Sequence, residues 1–95
     1  MALTFEWDAR KAAANLAKHG VSFGEALTVC ADPLARLEED DRHSVLEPRL
    51  VLLGRSRADR LLAVMFTERG PERIRLISAR QSTRSERRQY EEARK

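Results

Sequence analysis

Arginines gather in this chain where an alternating stretch hands over to a helix. The run Ile77-Ser78-Ala79-Arg80-Gln81-Ser82-Thr83-Arg84-Ser85-Glu86-Arg87-Arg88-Gln89-Tyr90 places Arg80 at the end of an alternation that begins at Arg73. Thr83 with Glu86 three residues on is a capping box, so Arg84 falls in the first helical turn. Arg87 and Tyr90 follow Arg84 at intervals of three, which lets the three side chains share a helix face. A planar guanidinium fork matches phosphate bidentately, and a phenol can donate a proton or stack on a base. The chemistry on offer is phosphate recognition at a strand–helix junction. The same spacing also describes a solvated basic helix.

Two other places carry candidate chemistry. Glu47 and Arg49 have matching parity on an expected strand and so point to one face. There a carboxylate could take a proton while the guanidinium holds phosphate, and a surface ion pair is the plainer alternative. Lys18-His19-Gly20 closes the first expected helix, where the dipole favours a cation, and His19 could also shuttle a proton near a phosphodiester. The run Glu38 to Asp41 with His43 holds oxygen ligands and one imidazole, but four consecutive acids in a turn read as a solvated loop, with too few converging ligands for a metal. Gly20 between two short helices invites a helix-turn-helix reading. The second helix, with Phe23, Glu25, Ala26 and Leu27, has no side chain suited to reading base edges. Nucleophile motifs, a glycine-rich phosphate loop and zinc spacings are absent, and no cofactor is called for.

The elements that must position these residues follow from periodicity. Residues 3–7 alternate as a short strand, Asp8 caps an Ala-rich helix running to about His19, and Gly20 ends it. Ser22 and Glu25 suggest a second capping box, with Val21 stapling on Ala26, and Phe23, Ala26, Leu27 and Cys30 as an apolar stripe ending near Asp32-Pro33. Strands are expected over residues 34–38, about 45–53, 61–67 and 73–78. Short connections make these neighbours antiparallel, and the stretch 61–66, apolar on both faces, should be central. The expectation is a single α+β domain over residues 1–95, an antiparallel sheet packed by two N-terminal helices and a C-terminal helix, in the order β-α-α-β-β-β-β-α.

Composition narrows the partners. With 42% hydrophobic and 35% charged residues the chain suits an ordinary water-facing domain. The net charge of +3 is uneven, because residues 69–95 hold nine Lys and Arg against four Glu while residues 1–68 hold nine against eleven acids. An acidic partner, RNA or DNA first, should therefore meet the C-terminal third. The lone Cys30 reads as a small buried hydrophobe in a reducing compartment. No basic segment precedes an apolar run near the start and no stretch approaches membrane-spanning length, so a cytoplasmic location without membrane contact is expected.

Spread over nearly the whole length are Phe5-Glu-Trp-Asp8 with Lys11 and Asn15, Lys18-His-Gly-Val-Ser-Phe23 with Glu25-Ala26, Asp32-Pro33, Glu47-x-Arg49, Gly54-Arg-Ser56, and Ile74-Arg-Leu-Ile-Ser-Ala-Arg80 leading to Arg84-x-Glu-Arg87 and Tyr90. With these blocks the chain resembles the BrnT toxins of bacterial type II toxin–antitoxin systems, a branch of the RelE-like ribonuclease toxins. The resemblance implies a RelE-like fold, translation inhibition through metal-independent RNA cleavage, and neutralisation by a BrnA-like ribbon-helix-helix antitoxin. That antitoxin would contact operator DNA itself and form a two-plus-two complex with the toxin. It implies catalytic roles for Arg49, Arg80 and Tyr90, with Lys18, Arg84 and Arg87 gripping RNA, free or on the ribosome. The lysine pair of some relatives is missing, which leaves Glu47 or His19 as the base. A module that binds nucleic acid or antitoxin without cleaving is the alternative.

Overall fold

The computed structural model describes residues 3–39 and 49–93. Strand β1 (Thr4–Glu6) leads into α1 (Ala9–His19) and α2 (Phe23–Leu27), which runs on as a 3₁₀ turn (Thr28–Ala31). Then come β2 (Arg36–Glu39), β3 (Leu50–Arg55), β4 (Leu61–Glu68), β5 (Arg73–Gln81) and α3 (Arg84–Ala93). The five strands form one sheet in the order β1-β5-β4-β3-β2, with β4 central as its two-sided apolar sequence requires. Strands β2 to β5 are antiparallel neighbours, whereas β1 joins β5 in parallel. The sheet is thus mixed, because the first strand pairs with the last instead of with its chain neighbour.

Local signals explain the helices. Asp8 accepts from the N–H groups of Arg10 and Lys11 at 2.7 and 3.3 Å, which satisfies two orphan donors of α1. Gly20, at φ 68°, ends the helix by donating to Leu16 O at 2.9 Å, in the left-handed region that glycine enters without strain. At α3 the capping box is complete, with Glu86 N–H donating to Thr83 Oγ1 at 3.1 Å and Thr83 N–H to Glu86 Oε1 at 2.8 Å. At α2 the first half of such a box is present, Glu25 N–H to Ser22 Oγ at 3.0 Å. The Glu25 carboxylate instead reaches Arg60 and Ser56 across the fold.

The two faces of the sheet are unlike. Helices α1 and α2 and the 3₁₀ turn cover one, where Val21, Phe23, Ala26 and Val29 pack on Leu62, Val64, Leu76 and Ala79. On the other, α3 covers one end only, with Tyr90 over Leu53, Leu61 and Ala63. Gly54 is required where the 3₁₀ turn crosses β3. A Cβ there would meet Val29 Cγ1 and Ala35 Cβ at 2.9 Å and Asp32 Oδ2 at 3.0 Å.

Several expectations shift. The strand expected over residues 34–38 is observed at Arg36–Glu39, and the one expected from residue 45 is seen from Leu50, residues 40–48 lying outside the described part. Cys30 is exposed rather than buried. It lines an apolar recess with Leu3, Phe5, Leu27 and Leu37.

Asn15, 6% exposed, fastens the helical layer to the sheet. Strand β1 pairs with β5 only from Arg73 to Arg75. Farther along, Asn15 Nδ2 donates to Ala79 O at 2.8 Å and Ala79 N–H donates to Asn15 Oδ1 at 3.0 Å. One side-chain amide thereby takes the place of the next rung of a strand, and a second N–H donates to Val21 O at 2.9 Å. Asn15→Ala leaves buried backbone groups unpaired and is expected to cost about 2–4 kcal/mol in chemical denaturation, with an unchanged denaturant slope.

Candidate functional site

Cross-strand register sorts the open face of the sheet, opposite α1 and α2, into rows. One row comprises Glu38, Val51, Met65 and Ser78, and the next, toward α3, comprises Arg36, Leu53, Ala63 and Arg80. On the side away from α3, Thr67 lies opposite Arg75 and Arg75 opposite Glu6. Arg49, one residue before β3, continues that row by its register toward Thr67. The rows containing Thr67 and Ala63 are four residues apart on β4, so about 13 Å separates them.

The row at the open end is charged. Glu6 Oε2 accepts from Arg75 Nε at 3.2 Å, and its Oε1 lies 3.4 Å from Arg73 Nε. Side-chain exposures of 34% for Glu6, 36% for Arg75 and 61% for Arg73 leave all three within reach of a ligand. Arg49 is half-buried, and its register places it two strands from Arg75 and three from Glu6. Because Arg73, Arg75 and Glu6 alternate with Ile74 and Phe5, the apolar side of the same strands anchors this row from below.

The end beneath α3 is occupied by its own bonds. Arg80 closes its fork on Glu86, with Nη1 to Oε1 at 2.7 Å and Nη2 to Oε2 at 3.0 Å. Tyr90 is 2% exposed, and its hydroxyl donates to Asp32 Oδ2 at 2.7 Å while the Arg55 guanidinium lies 5.9 Å above its ring. Serving as the acid would require Tyr90 to give up that bond and leave the core. Arg36 ties β2 to α3 by donating to Gln89 O at 3.2 Å.

The expected site residues therefore separate. Arg49 and Arg80 share the open face but not a row. Lys18 and His19 close α1 in the helical layer on the other side of the sheet, Lys18 exposed and His19 half-buried. Arg84 and Arg87 are exposed on α3, where Tyr90, third in their spacing, turns inward. Glu47, Asp40, Asp41 and His43 lie outside the described residues. Among the described residues no three His, Cys, Asp or Glu side chains gather as a metal site, and no helix is long and apolar enough to cross a membrane. The reading from sequence missed Arg73, Arg75 and Glu6. Their alternation was visible, but the parallel pairing that unites them was not.

The family model described as "Ribonuclease toxin, BrnT, of type II toxin-antitoxin system" matches residues 7–86. The chain belongs to the BrnT toxin family. The fold agrees, since the crystal structure of the Brucella abortus ribonuclease toxin BrnT superposes with a TM-score of 0.67 at 25% sequence identity, covering 87% of this chain and all of that one. No curated protein matches.

Blocks that suggested BrnT membership turn out to hold the scaffold together. Glu25 accepts from Arg60 Nε at 2.9 Å and from Ser56 Oγ at 2.7 Å, while a second Arg60 nitrogen bonds its other oxygen. The Arg60 fork beside Glu25 holds that carboxyl below its ordinary value, against the upward push of burial. Burial pushes Asp32 up, but hydrogen bonds from Arg55 N–H, the Tyr90 hydroxyl and Leu34 N–H outweigh it and leave Asp32 low. Arg80 lowers Glu86 in the same way. A carboxyl held low in the fold contributes stability that is complete above its unfolded value near about 4 and is lost as pH falls below it. The thermal midpoint should therefore fall steeply on acidification from about pH 5 to about pH 3. Asp32→Asn, less stable at neutral pH, should show a shallower fall. An equally steep fall in that variant would mean that the acid lability arises elsewhere.

Proposed function

We propose that this chain is an endoribonuclease toxin that cleaves RNA without a metal by attack of a 2′-hydroxyl on its adjacent phosphate, and so inhibits translation. The observation that carries the reading is the charged row at the open end of the sheet. Arg49, Arg73 and Arg75 stand there on one face, with no helix over them among the described residues. Guanidinium groups fixed on strands are suited to the charge that grows on a phosphorane, because they need little reorganisation as it forms. Arg49 and Arg75 would take that part, with Arg80 meeting a neighbouring phosphate from the next rows. Lys18, Arg84 and Arg87 would add longer-range attraction for the RNA backbone. Glu47 and His19 remain candidates for proton transfer, and Tyr90 would act as acid only after releasing Asp32.

A second reading has its own support. Arg80, Tyr90 and Glu6 already have protein partners, as expected of a face that grips a ligand without reacting with it. Under that reading wild type binds single-stranded RNA and leaves it intact.

Neutralisation by a BrnA-like antitoxin with a ribbon-helix-helix part is proposed on the strength of the family, with two toxins and two antitoxins per complex and operator DNA contacted through the antitoxin alone. The basic exposed side of α3 suits an acidic helical segment by charge steering.

Expression of the chain without antitoxin is expected to arrest growth and shorten messenger RNA. Arg49→Ala should lower the cleavage rate about a hundred- to thousandfold while the protein stays folded, the usual cost of a lost charge-stabilising donor. Cleavage should persist in excess chelator, with free RNA or with ribosomes. Full growth and intact RNA on induction of folded wild type would sink the ribonuclease reading. For the antitoxin, charge reversal at Arg84 and Arg87 together should weaken capture, as should added salt. Light scattering of the co-purified complex tests the stoichiometry, and unaltered affinity in the reversed variant would put the interface on another face.

A further inference from the structure

We infer that Glu6 is the general base of this site, a role that rests on the ribonuclease reading above. Three observations converge on it. Glu6 is the described carboxylate that shares a row with Arg49 and Arg75. Each of its oxygens faces a single arginine nitrogen, at 3.2 and 3.4 Å, and an ionised carboxylate offers about four lone-pair directions, so each oxygen keeps capacity to accept a proton. The side chain is 34% exposed, on the face where RNA would lie.

Charge balance favours the placement. A carboxylate alone beside a phosphodiester would repel it, but here Arg73 and Arg75 flank one Glu6, with Arg49 farther along the same row, and the row stays positive toward RNA. Stability alone is a weak reason for the cluster, because partly exposed ion pairs add little to it. Arg73 and Arg75 would instead fix the direction of the Glu6 carboxylate, as a base must be placed before it acts. His19 lies in the helical layer across the sheet from this row.

The step balances without a co-reactant from outside the RNA and solvent. Glu6 takes the proton of a ribose 2′-hydroxyl as that oxygen bonds to the adjacent phosphorus. The bond from phosphorus to the 5′-oxygen breaks, and the leaving oxygen acquires a proton from solvent water. The products are a 2′,3′-cyclic phosphate and a 5′-hydroxyl end, and Glu6 returns its proton to solvent.

The test uses the purified full-length chain and a labelled single-stranded RNA of mixed sequence, with and without ribosomes, under single-turnover conditions. Binding is measured separately on the 2′-O-methyl analogue, which cannot react. Glu6→Gln is expected to slow cleavage by about a hundredfold or more while binding the analogue as tightly as wild type or more tightly. The acid limb of the wild-type pH–rate profile should disappear in Glu6→Gln, and Glu6→Asp should retain part of the rate and that limb. Glu6→Gln cleaving at the wild-type rate overturns the inference and leaves the ribonuclease reading standing, as does Glu47→Gln or His19→Ala abolishing the acid limb while Glu6→Gln keeps it. If Glu6→Gln unfolds, Glu6→Asp decides by its pH profile, and an unaltered rate there at every pH overturns the assignment. Wild type that binds the analogue yet cleaves nothing overturns both.

Discussion

One extra residue in β5 decides which arginines share the open face of the sheet. Across β4 the register runs Met65 to Ser78 and then Phe66 to Leu76, so Ile77 has no partner and the strand bulges there. Arg75 and Arg80 are five residues apart, an odd interval that in a regular strand would put them on opposite faces. The bulge absorbs one step, so that Arg75, Ser78 and Arg80 share the open face while Leu76 and Ala79 share the core. An insertion of this kind leaves one residue unpaired and re-aims the side chains beyond it. Without it, either an arginine would enter the helical core or a core residue would leave it.

Everything else about the open face follows from where α3 stops. The helix is held by Tyr90 on Asp32, by Arg36 on the Gln89 carbonyl and by Glu86 on Arg80, and all three attachments lie toward the Leu61 end of β4. The opposite end, with Thr67, stays free of helix among the described residues. Asp32 gathers these constraints. Its carboxylate accepts from the Arg55 and Leu34 amides as well as from Tyr90, so one side chain fixes the end of β3, the turn into β2 and the seat of α3. Gly54 lets this carboxylate approach the strand, as an added Cβ would sit 3.0 Å from it.

How far the sequence could be read depended on the range of the interaction. Features set within one turn of chain were legible: the Asp8 and Thr83 caps, the glycine stop at Gly20, and the central strand of residues 61–66. Features set by pairing between distant segments were not. Nothing near Glu6 announces that β1 will lie parallel to β5, and alternation alone, without the bulge, would put Arg75 and Arg80 on opposite faces. Tyr90 has the right spacing to join Arg84 and Arg87, but that spacing cannot tell which residue turns toward the core. Its depth comes from Leu53, Leu61 and Ala63, side chains more than twenty residues away in sequence. The Glu25 carboxylate illustrates the same competition. Local pattern offers it to the α2 cap, and a guanidinium thirty-five residues on takes it instead, since a forked charge-assisted pair outweighs one more cap bond.

Arg80 and Arg49 illustrate how the same residue type is made unequal by its surroundings. The Arg80 fork is matched by both Glu86 oxygens, and one of its nitrogens also donates to Gln81 O at 3.2 Å. A phosphate arriving there must either use the remaining N–H directions or displace a carboxylate already placed by the helix cap. Displacement would also strip Thr83 of the acceptor for its N–H, so the helix start opposes it. Under the proposed function Arg80 would therefore suit a phosphate whose charge is constant through the reaction, where modest attraction suffices. Under the proposed ribonuclease function, charge that grows during the reaction would be better met in the row of Arg49 and Arg75, where guanidinium surface remains and Glu6 lies against Arg75.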